Sequence, residues 1–503
     1  MKFADLIRDM ELKKIVLGSE GHPAEIIDVD CDSRQIKDGW GFVALKGSNT
    51  DGHDYARQAI DNGAVAIFSE RCLSSIWHGP SVVFRDNPKK VMARLARRVH
   101  GMPDLEMPII AVTGTNGKTT TTMLIRQLMM ASGMGCGLIG TVVNVAGILE
   151  EKSVLTSPES TSFFRWIKKS LDAGDKALAT EISSVAMSLD RVHGAEFRVG
   201  VFTNLTQDHL DFHETMDAYF RAKASLFSQC RVGLVNVDDE YGRQLLAENP
   251  KLIPYGIDSG NYRVKNLKMA HGGTSFIFIT PKGEFSVESP LLGRFNVYNT
   301  IAALSALDLS GFELEVMLPN ISALKGAPGR LERVDMGQSF GVMVDYAHTP
   351  DALEKLLGAG RDLLSKNGRL HVLFGCGGDR DRSKRHVMAS AVLSGGADVI
   401  WHTSDNTRTE DPERILDDAA IGIPEEIRND SDRYHRIADR ALAVEAAIKN
   451  CRQGDLLLLA GKGHEPYQDV MGIKHPYSDR SAVEAVLKGG SILRPWSNSG
   501  DVC

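Results

Sequence analysis

The sequence predicts an α/β protein of three domains: a small α/β N-terminal domain, a central parallel-sheet domain built on a phosphate loop, and a C-terminal doubly wound, Rossmann-like domain. Three observations carry this. At 503 residues the chain exceeds what one hydrophobic core usually supports. From about residue 105 onward, apolar strand-like runs alternate with helical patterns, as in mostly parallel sheets. Two turn-forming clusters, Gly101-Met102-Pro103-Asp104 and Ala327-Pro328-Gly329-Arg330, interrupt the alternation and divide the chain at 1–104, 105–330 and 331–503.

In the first domain, Gly41 to Leu45 and Ala64 to Phe68 read as strands, and Asp54 to Asn62 and Pro88 to Val99 as helices. In the second, Ile109 to Thr113, Leu178 to Ile182, Val199 to Thr203 and Val232 to Val237 are short apolar runs suited to buried strands. In the third, Val342 to Asp345, Leu370 to Phe374, Val399 to His402 and Leu456 to Leu459 repeat the pattern. Ligands of such sheets sit at the carboxyl ends of the strands. Those ends are polar here: Glu181-Ile182-Ser183-Ser184, Asn204 to Asp211, Asp345 to Pro350, and Gly461-Lys462-Gly463-His464-Glu465.

Composition narrows the function classes. A net charge of −7 offers no basic field for nucleic acid, so anionic ligands need local clusters. The seven cysteines are scattered and never spaced C-x-x-C, which reads as free thiols in a reducing compartment. The N-terminus does not resemble a signal peptide, and no apolar run approaches the roughly 20 residues a bilayer requires. A cytoplasmic protein without membrane insertion, working as a monomer, is expected.

The richest segment is Gly114-Thr115-Asn116-Gly117-Lys118-Thr119-Thr120, between a buried strand and a helical pattern. Its glycines let backbone N–H groups face a phosphate at a helix N-terminus; Lys118 would neutralise β/γ-phosphates and the Thr119 hydroxyl would reach Mg²⁺. Val112 stands where the full motif has its first glycine, so the loop is a variant, and a plain strand-to-helix turn is the alternative. Glu181 suits Mg²⁺ as a strand-end carboxylate. His209 and His213, with Asp208 and Asp211, invite zinc, but no further cysteine or histidine cluster completes a tetrahedral set; an oxygen-rich Mg²⁺ site served by His209 is preferred. Lys223, in a helical stretch with apolar flanks, reads on pattern alone as a snorkelling lysine. Gly375 to Arg385 imitates a dinucleotide fingerprint with Arg380 at the last glycine position, which leaves a cationic cradle or a solvated loop. Ser404 to Glu413 is an N-capping loop, with Thr409 or Asp411 as cap and Pro412 first in the helix; that leaves room for Asp405, Asn406 and Arg408 to hold a ligand.

Together, Gly114 to Thr120, Glu181-Ile182-Ser183-Ser184, Thr203-Asn204-Leu205 with Asp208-His209-Leu210-Asp211, Asp345-Tyr346-Ala347-His348 and Gly461 to Glu465 resemble the Mur ligases in order and spacing across nearly the whole chain. Asp32-Ser33-Arg34, Gly375 to Arg385 and Asp405 to Arg408 are similar to the branch that adds the third residue of the peptidoglycan stem peptide. The resemblance implies an ATP-dependent amide ligase acting on UDP-N-acetylmuramoyl-L-alanyl-D-glutamate and meso-diaminopimelate through an acyl phosphate, with closure of the third domain in its cycle. It implies that Gly114, Thr115, Asn116, Gly117, Lys118, Thr119, Thr120, Asn299, Arg330, Asp345 and His348 bind ATP. Ser33, Ser48, Asn49 and Thr50 would meet the UDP end of the substrate, and Thr156, Ser157, Ser183 and Arg191 its muramoyl-dipeptide; Leu189 stands where relatives often carry glutamine. Arg380, Asp405, Asn406, Thr407, Arg408, Gly461 and Glu465 would hold the incoming amino acid. Lys118, Glu181, His209 and Lys223 would be catalytic, and Thr119, Glu181, His209 and a carbamylated Lys223 would surround Mg²⁺. Diaminopimelate-adding members usually carry Asp-Asn-Pro-Arg, so Thr407 is expected to loosen this backbone. The alternatives are the lysine-adding branch, folylpolyglutamate synthetase, whose pattern lacks an Asp-Ser-Arg first domain, and a P-loop NTPase regulatory module, which would leave Asp405 to Arg408 and Gly461 to Glu465 without a role.

Overall fold

Strands buried on both faces are apolar over most of their length, and the two at the centre of the main sheet, Ile109–Thr113 and Ala177–Glu181, are buried at every residue and polar only at their carboxyl ends. The computed structural model describes residues 1–16, 25–47, 50–85, 87–102, 107–270, 273–490, 492 and 494–495. Around those two strands lies an eight-stranded sheet in the order Ile253–Tyr255, Cys230–Asn236, Phe197–Phe202, Ile109–Thr113, Ala177–Glu181, Cys136–Ile139, Val143–Ala146, Leu149–Lys152. The first six strands run parallel, and the last two add an antiparallel hairpin at the edge. Parallel pairing brings the carboxyl ends of Ile109–Thr113, Ala177–Glu181 and Phe197–Phe202 to one rim, where the phosphate loop, Glu181 and Asn204 follow.

The N-terminal sheet is five-stranded, ordered Leu12–Val16, Ser81–Phe84, Ala66–Ser69, Gly41–Ala44, Val29–Asp30, parallel except for its first pair. It shares one compact unit, Met1–Leu267 with Phe276–Glu288 and Tyr298–Leu324, with the eight-stranded sheet. One continuous core runs from Phe3, Phe68 and Leu95 to Phe163, Ile167 and Phe197. Arg165 fixes the junction, donating to Asp28 at 2.5 Å and Asp30 at 2.9 Å while its guanidinium lies 4.7 Å from the centre of the Trp40 ring.

The second unit comprises Lys268–Ser275, Ser289–Val297 and Lys325–Cys503. Its six-stranded sheet is ordered Glu332–Arg333, Gly341–Asp345, Leu456–Ala460, Leu370–Phe374, Val399–His402, Tyr434–Arg436, all parallel after the first pair. Leu357, Val372, Leu458 and Ala389 pack one face and Val444, Ala447, Leu457 and Leu459 the other, the two-faced burial of a doubly wound sheet.

The helix Pro88–Val99 and the strands Ile109–Thr113, Leu370–Phe374 and Val399–His402 have the predicted bounds. Asp54 to Asn62 is not one helix: a 3₁₀ turn, Gly52–Tyr55, precedes the α-helix Ala56–Asp61, because Asp51 accepts from the His53 backbone N–H and caps the turn first. The break at Gly101 to Asp104 runs into residues 103–106, outside the described ones. The six described cysteines are free, and Cys503 lies outside the described residues. Among the described residues, no helix is long and apolar enough to cross a membrane.

Candidate functional site

The phosphate loop begins where the strand Ile109–Thr113 ends. Val112 lies inside that strand, fully buried, and the glycine that turns the chain is Gly114, at φ +146, where an added Cβ would stand 1.9 Å from the Thr203 hydroxyl. Gly117, in the left-handed region at φ +86, caps the helix Lys118–Ala131, and a Cβ there would meet Asn299 Oδ1 at 2.6 Å. The predicted adenine contact, Asn299, is thus packed against the loop, and the Thr121 hydroxyl donates to its Oδ1 at 3.3 Å. The next strand end props the loop: Asn204 Oδ1 accepts from Asn116 N at 2.9 Å, Thr203 Oγ1 donates to Asn116 O at 2.6 Å, and Thr115 Oγ1 accepts from Thr206 N at 3.0 Å. Lys118 Nζ donates to Gly114 O and Thr115 O, both at 2.9 Å, so its ammonium sits over the loop. Thr120 is buried in the first helical turn.

Glu181 is 1% exposed at its strand end. Its carboxylate accepts from Thr119 Oγ1 at 2.8 Å, Thr141 N at 2.7 Å and Thr141 Oγ1 at 3.0 Å. Thr141 Oγ1 also lies 3.1 Å from the Thr156 hydroxyl; Ser157 Oγ donates to Glu181 O at 2.9 Å and accepts from Ser183 N at 3.0 Å; Arg191 Nη1 donates to Ser157 O at 3.2 Å. Thr119, Glu181, Thr156, Ser157, Ser183 and Arg191, predicted for two different ligands, therefore form one connected cluster. Arg191 pairs with Glu159 at 2.7 Å, while its buried Nε–H has no hydrogen-bond partner. Leu189 ends the short helix Ser184–Ser188.

Lys223 is not a snorkelling lysine. It is 1% exposed, and its Nζ turns inward from the helix Met216–Ala224 to donate to Gly114 O at 2.8 Å, with the Tyr219 ring centre 4.6 Å away. Burial, then the neighbouring charge of Lys118, push its pKa well below the usual lysine value. His209 is exposed, at φ +50, and faces Asp208 at 3.6 Å. His213 is the buried member of the pair, with Nε2 2.9 Å from the Ser184 hydroxyl; burial and then the charge of His209 lower its pKa. In the N-terminal part, the Ser33 hydroxyl donates to Gln58 Oε1 at 2.7 Å, Arg34 forks onto Asp32, and exposed Thr50 closes a turn onto Gly47. Ser48 and Asn49 lie outside the described residues.

In the second unit, Asp345 ends the strand Gly341–Asp345 and accepts from Leu331 N at 2.7 Å and Ala347 N at 2.8 Å. Burial pushes its pKa up against the opposing charge of Arg330. Arg330 lies 4.9 Å from the centre of the Tyr346 ring, whose other neighbours are His348 and His464. Asp405, Asn406 and Thr407 follow the strand Val399–His402 and are all buried. Between them and Glu465 stands Lys462, fully buried, which donates to Asn406 Oδ1 at 2.9 Å and Glu465 Oε2 at 2.7 Å and lies 3.6 Å from Asp405 Oδ1. Burial alone would raise the Asp405 pKa, but Lys462 and then Arg440 hold it below the usual range. Asn406 also accepts from Asp469 N and donates to Glu465 Oε2, both at 2.9 Å, so its amide braces this cluster. Gly461, at φ +109, allows close approach: a Cβ would stand 2.5 Å from Asp405 Oδ2.

Arg408, itself at φ +50, donates to Gly378 O, and a Cβ on Gly377 would lie 3.1 Å from Arg408 Nη1 and 3.6 Å from Arg380 Cγ. The two arginines thus flank one glycine turn. Thr407 does not leave this segment loose, because its hydroxyl meets Asp469 O at 3.5 Å and Met471 N at 3.4 Å and ties it to the hairpin Tyr467–Val470/Ile473–Pro476. The adjoining helix cap is Asp411, accepting from Glu413 N, with Pro412 first in the helix.

Sequence reasoning missed Thr141 and Lys462 as site residues. Thr141 follows a strand end, Cys136–Ile139, and that position was its available signal. Lys462 lay inside a motif already singled out, where its charge balances two carboxylates. Among the described residues there is no cluster of three or more His, Cys, Asp or Glu arranged for a metal.

Comparison with known proteins adds independent support for the ancestry of this architecture. Residues 25–101 match the model described as Mur ligase family, catalytic domain; 112–307 match Mur ligase middle domain; 329–463 match Mur ligase, glutamate ligase domain. The chain is similar to proteins named UDP-N-acetylmuramoyl-L-alanyl-D-glutamate--2,6-diaminopimelate ligase from Geobacillus kaustophilus, 41% identical, and Geobacillus thermodenitrificans, 42% identical, each over 93% of this chain and 96% of the relative. A solved structure titled with the same enzyme name superposes with a TM-score of 0.69 at 33% identity, covering 97% of this chain and 99% of that one.

Proposed function

The chain belongs to the Mur ligase family, and we propose that it joins meso-diaminopimelate to UDP-N-acetylmuramoyl-L-alanyl-D-glutamate at the expense of ATP, in the cytoplasm and as a monomer, in peptidoglycan precursor synthesis. The observation that carries this reading is the buried Glu181, whose carboxylate accepts from the Thr119 hydroxyl of the phosphate loop at 2.8 Å and reaches Thr156 through Thr141, and whose backbone carbonyl accepts from Ser157, itself bonded to Arg191. That arrangement supports a triphosphate site beside groups suited to an anionic peptide.

A carboxylate does not react with an amine until its oxygen becomes a leaving group. Lys118 offsets the charge that gathers as the D-glutamyl side-chain carboxylate approaches the γ-phosphoryl group, and the helix N-terminus adds its positive end. Arg191, with an unpaired buried N–H, binds a carboxylate of the dipeptide and orients it. The neutral amine of the incoming amino acid then attacks the acyl phosphate, and the tetrahedral species collapses to an amide and inorganic phosphate. In the second unit, Asp405 and Glu465 receive ammonium N–H groups, and Arg408 with Arg380 receives the distal carboxylate. Asn299, Arg330, Asp345 and His348 serve the nucleotide.

Thr119 and Glu181 fit Mg²⁺: both offer oxygen, and a site with a single carboxylate matches an ion that keeps water and phosphate in its shell. When bound, that ion neutralises phosphate charge. His209 would serve it from outside the buried cluster. Lys223 fits carbamylation, because an amine held neutral by burial has a lone pair free for carbon dioxide. The resulting anion would replace repulsion from Lys118 with attraction.

The test is phosphate release measured with each substrate omitted in turn, and product mass with diaminopimelate and lysine in competition. Release that needs both the UDP-linked dipeptide and an amino acid supports the ligase; release without them would indicate a free-standing NTPase.

A further inference from the structure

Arg440 is fully buried and is the first residue of the helix Arg440–Asn450. A cation there opposes the helix dipole. Its partner, Asp479, is also fully buried and opens the helix Asp479–Leu487. The pair is bidentate, Nε to Oδ1 at 2.8 Å and Nη2 to Oδ2 at 2.6 Å, and the Tyr477 hydroxyl donates to the same carboxylate at 3.0 Å. Buried ion pairs are costly to desolvate, and apolar residues of similar volume often hold a core equally well. Stability alone therefore gives a weak account of this pair.

Its remaining hydrogen bonds give a better one. Arg440 Nη2 donates to Ala460 O at 2.9 Å, and Nη1 to Ser404 O at 3.4 Å. Those carbonyls belong to the residues just before Gly461 and Asp405, on two strand ends separated by the strand Leu370–Phe374 in the sheet order. The gap between the segments is tight, since Asp405 Oδ2 lies 2.5 Å from where a Cβ on Gly461 would stand. One planar guanidinium, with donors in a fixed fork, thus sets the spacing of the two walls.

We propose that Arg440, held by Asp479, is a positioning residue for the amino-acid subsite: it fixes Asp405 relative to Gly461 and thereby the affinity for the incoming amino acid, without touching it. This rests on the assignment of Asp405 and Gly461 to that subsite. Arg440 also adds to the positive charge that keeps Asp405 ionised.

The test compares the full-length wild type with Arg440→Met/Asp479→Leu, which removes both charges while keeping volume, and with Arg440→Lys, which keeps the charge but loses the fork. Folding is checked by circular dichroism and thermal melting, and KM is measured separately for diaminopimelate, ATP and the UDP-linked dipeptide. The expected result is a folded double variant whose diaminopimelate KM rises about 10-fold or more while the other two KM values stay within about twofold, with partial rescue by Arg440→Lys. A folded double variant with wild-type diaminopimelate KM, or with all three KM values raised alike, overturns the proposal. So does failure of both variants to fold, which assigns the pair to folding alone. A wild type that does not consume diaminopimelate overturns the substrate assignment itself, and with it this inference.

Discussion

Replacing Lys223 with methionine separates a catalytic lysine from a structural one, because the two roles move stability and activity differently. The amine is buried, 1% exposed, donates to Gly114 O at 2.8 Å, and has the Tyr219 ring centre at 4.6 Å. After burial, the strongest influence on it is the charge of Lys118, which also disfavours its protonation. A neutral amine's hydrogen bond to the Gly114 carbonyl contributes about 0.5–1.5 kcal/mol, against about 1–3 kcal/mol to bury a polar group. Methionine keeps the stem and removes that polar group while Lys118 still donates to Gly114 O, so the terms nearly cancel and stability should stay within about 1 kcal/mol of wild type or rise. Turnover should instead fall about 100-fold or more, the equivalent of about 2.7 kcal/mol of transition-state stabilisation, since the proposed carbamate would be lost with the amine. Phosphate release and the denaturant midpoint, measured on the same preparation, read both quantities. In Lys223→Ala, which leaves room beside Gly114, added formate or acetate should restore part of the turnover; in Lys223→Met, whose side chain fills that room, it should not. Turnover above about a tenth of wild type in Lys223→Met, or a loss above about 2 kcal/mol with full activity per folded molecule, would refute the reasoning.

Lys118→Met should cost about 100-fold or more in kcat while leaving the melting temperature nearly unchanged, because Lys118 is only half-buried and its bonds run to loop carbonyls; retention of more than about a tenth of turnover would sink the phosphate-loop role. The wild type should prefer meso-diaminopimelate to L-lysine by about 100-fold or more in kcat/KM, since lysine offers Arg408 and Arg380 a cation but no distal carboxylate; Arg408→Ala should collapse that ratio, and equal use of lysine by the wild type would remove the two arginines from substrate reading. His402 is fully buried on Phe374, and burial, then Arg436, lower its pKa from 6.5 to about 3. Between those values the unfolded chain binds a proton that the folded chain refuses, so stability is lost as pH falls below 6.5, by about 1.4 kcal/mol per pH unit. His402→Phe, which keeps the stacked ring, should flatten the fall in denaturation free energy between pH 6.5 and about 4; an unchanged slope would mean that His402 is protonated in the folded state.

Patterning made the buried parallel strands legible, because a strand covered on both faces has to be apolar along most of its length. It was weaker where burial is partial. The edge strand Leu149–Lys152 reads Leu-Glu-Glu-Lys with every residue exposed, so neither alternation nor an apolar run marks it. Val112 looked like a defect in the phosphate motif, yet it is a strand residue, and the required backbone freedom falls on Gly114 and Gly117. For Lys223 the helical spacing was readable, since Tyr219, Phe220 and Lys223 are the buried residues of one short helix. What periodicity could not supply was the carbonyl at the far end of the side chain, contributed by a residue more than a hundred positions earlier. Asn406 shows the converse: its place in the motif was visible, but the full occupation of its Oδ1 by Lys462 and Asp469 depends on how the hairpin folds back.

The basic side chains at the strand ends share one physical logic. Where a parallel strand ends and its chain turns away, backbone carbonyls lose their ladder partners and need donors. Lys118 and Lys223 both satisfy Gly114 O, Arg440 satisfies Ala460 O and Ser404 O, and Arg385 reaches Gly377 O. An apolar side chain would leave those carbonyls unsatisfied, and a neutral donor would bring no charge. A cation such as Lys118 does both: it satisfies carbonyls at the rim of the sheet and leaves positive potential where anionic ligands are proposed to bind. Removing one should therefore damage ligand affinity before it damages the fold where the side chain bonds a carbonyl and has no carboxylate partner, as at Lys223. Where it has one, as Arg385 with Glu410 and Asp418 or Arg440 with Asp479, single removal strands a buried or half-buried carboxylate and the fold suffers as well. That contrast is why the informative variant at Arg440 removes both members of the pair, while a single substitution suffices at Lys223.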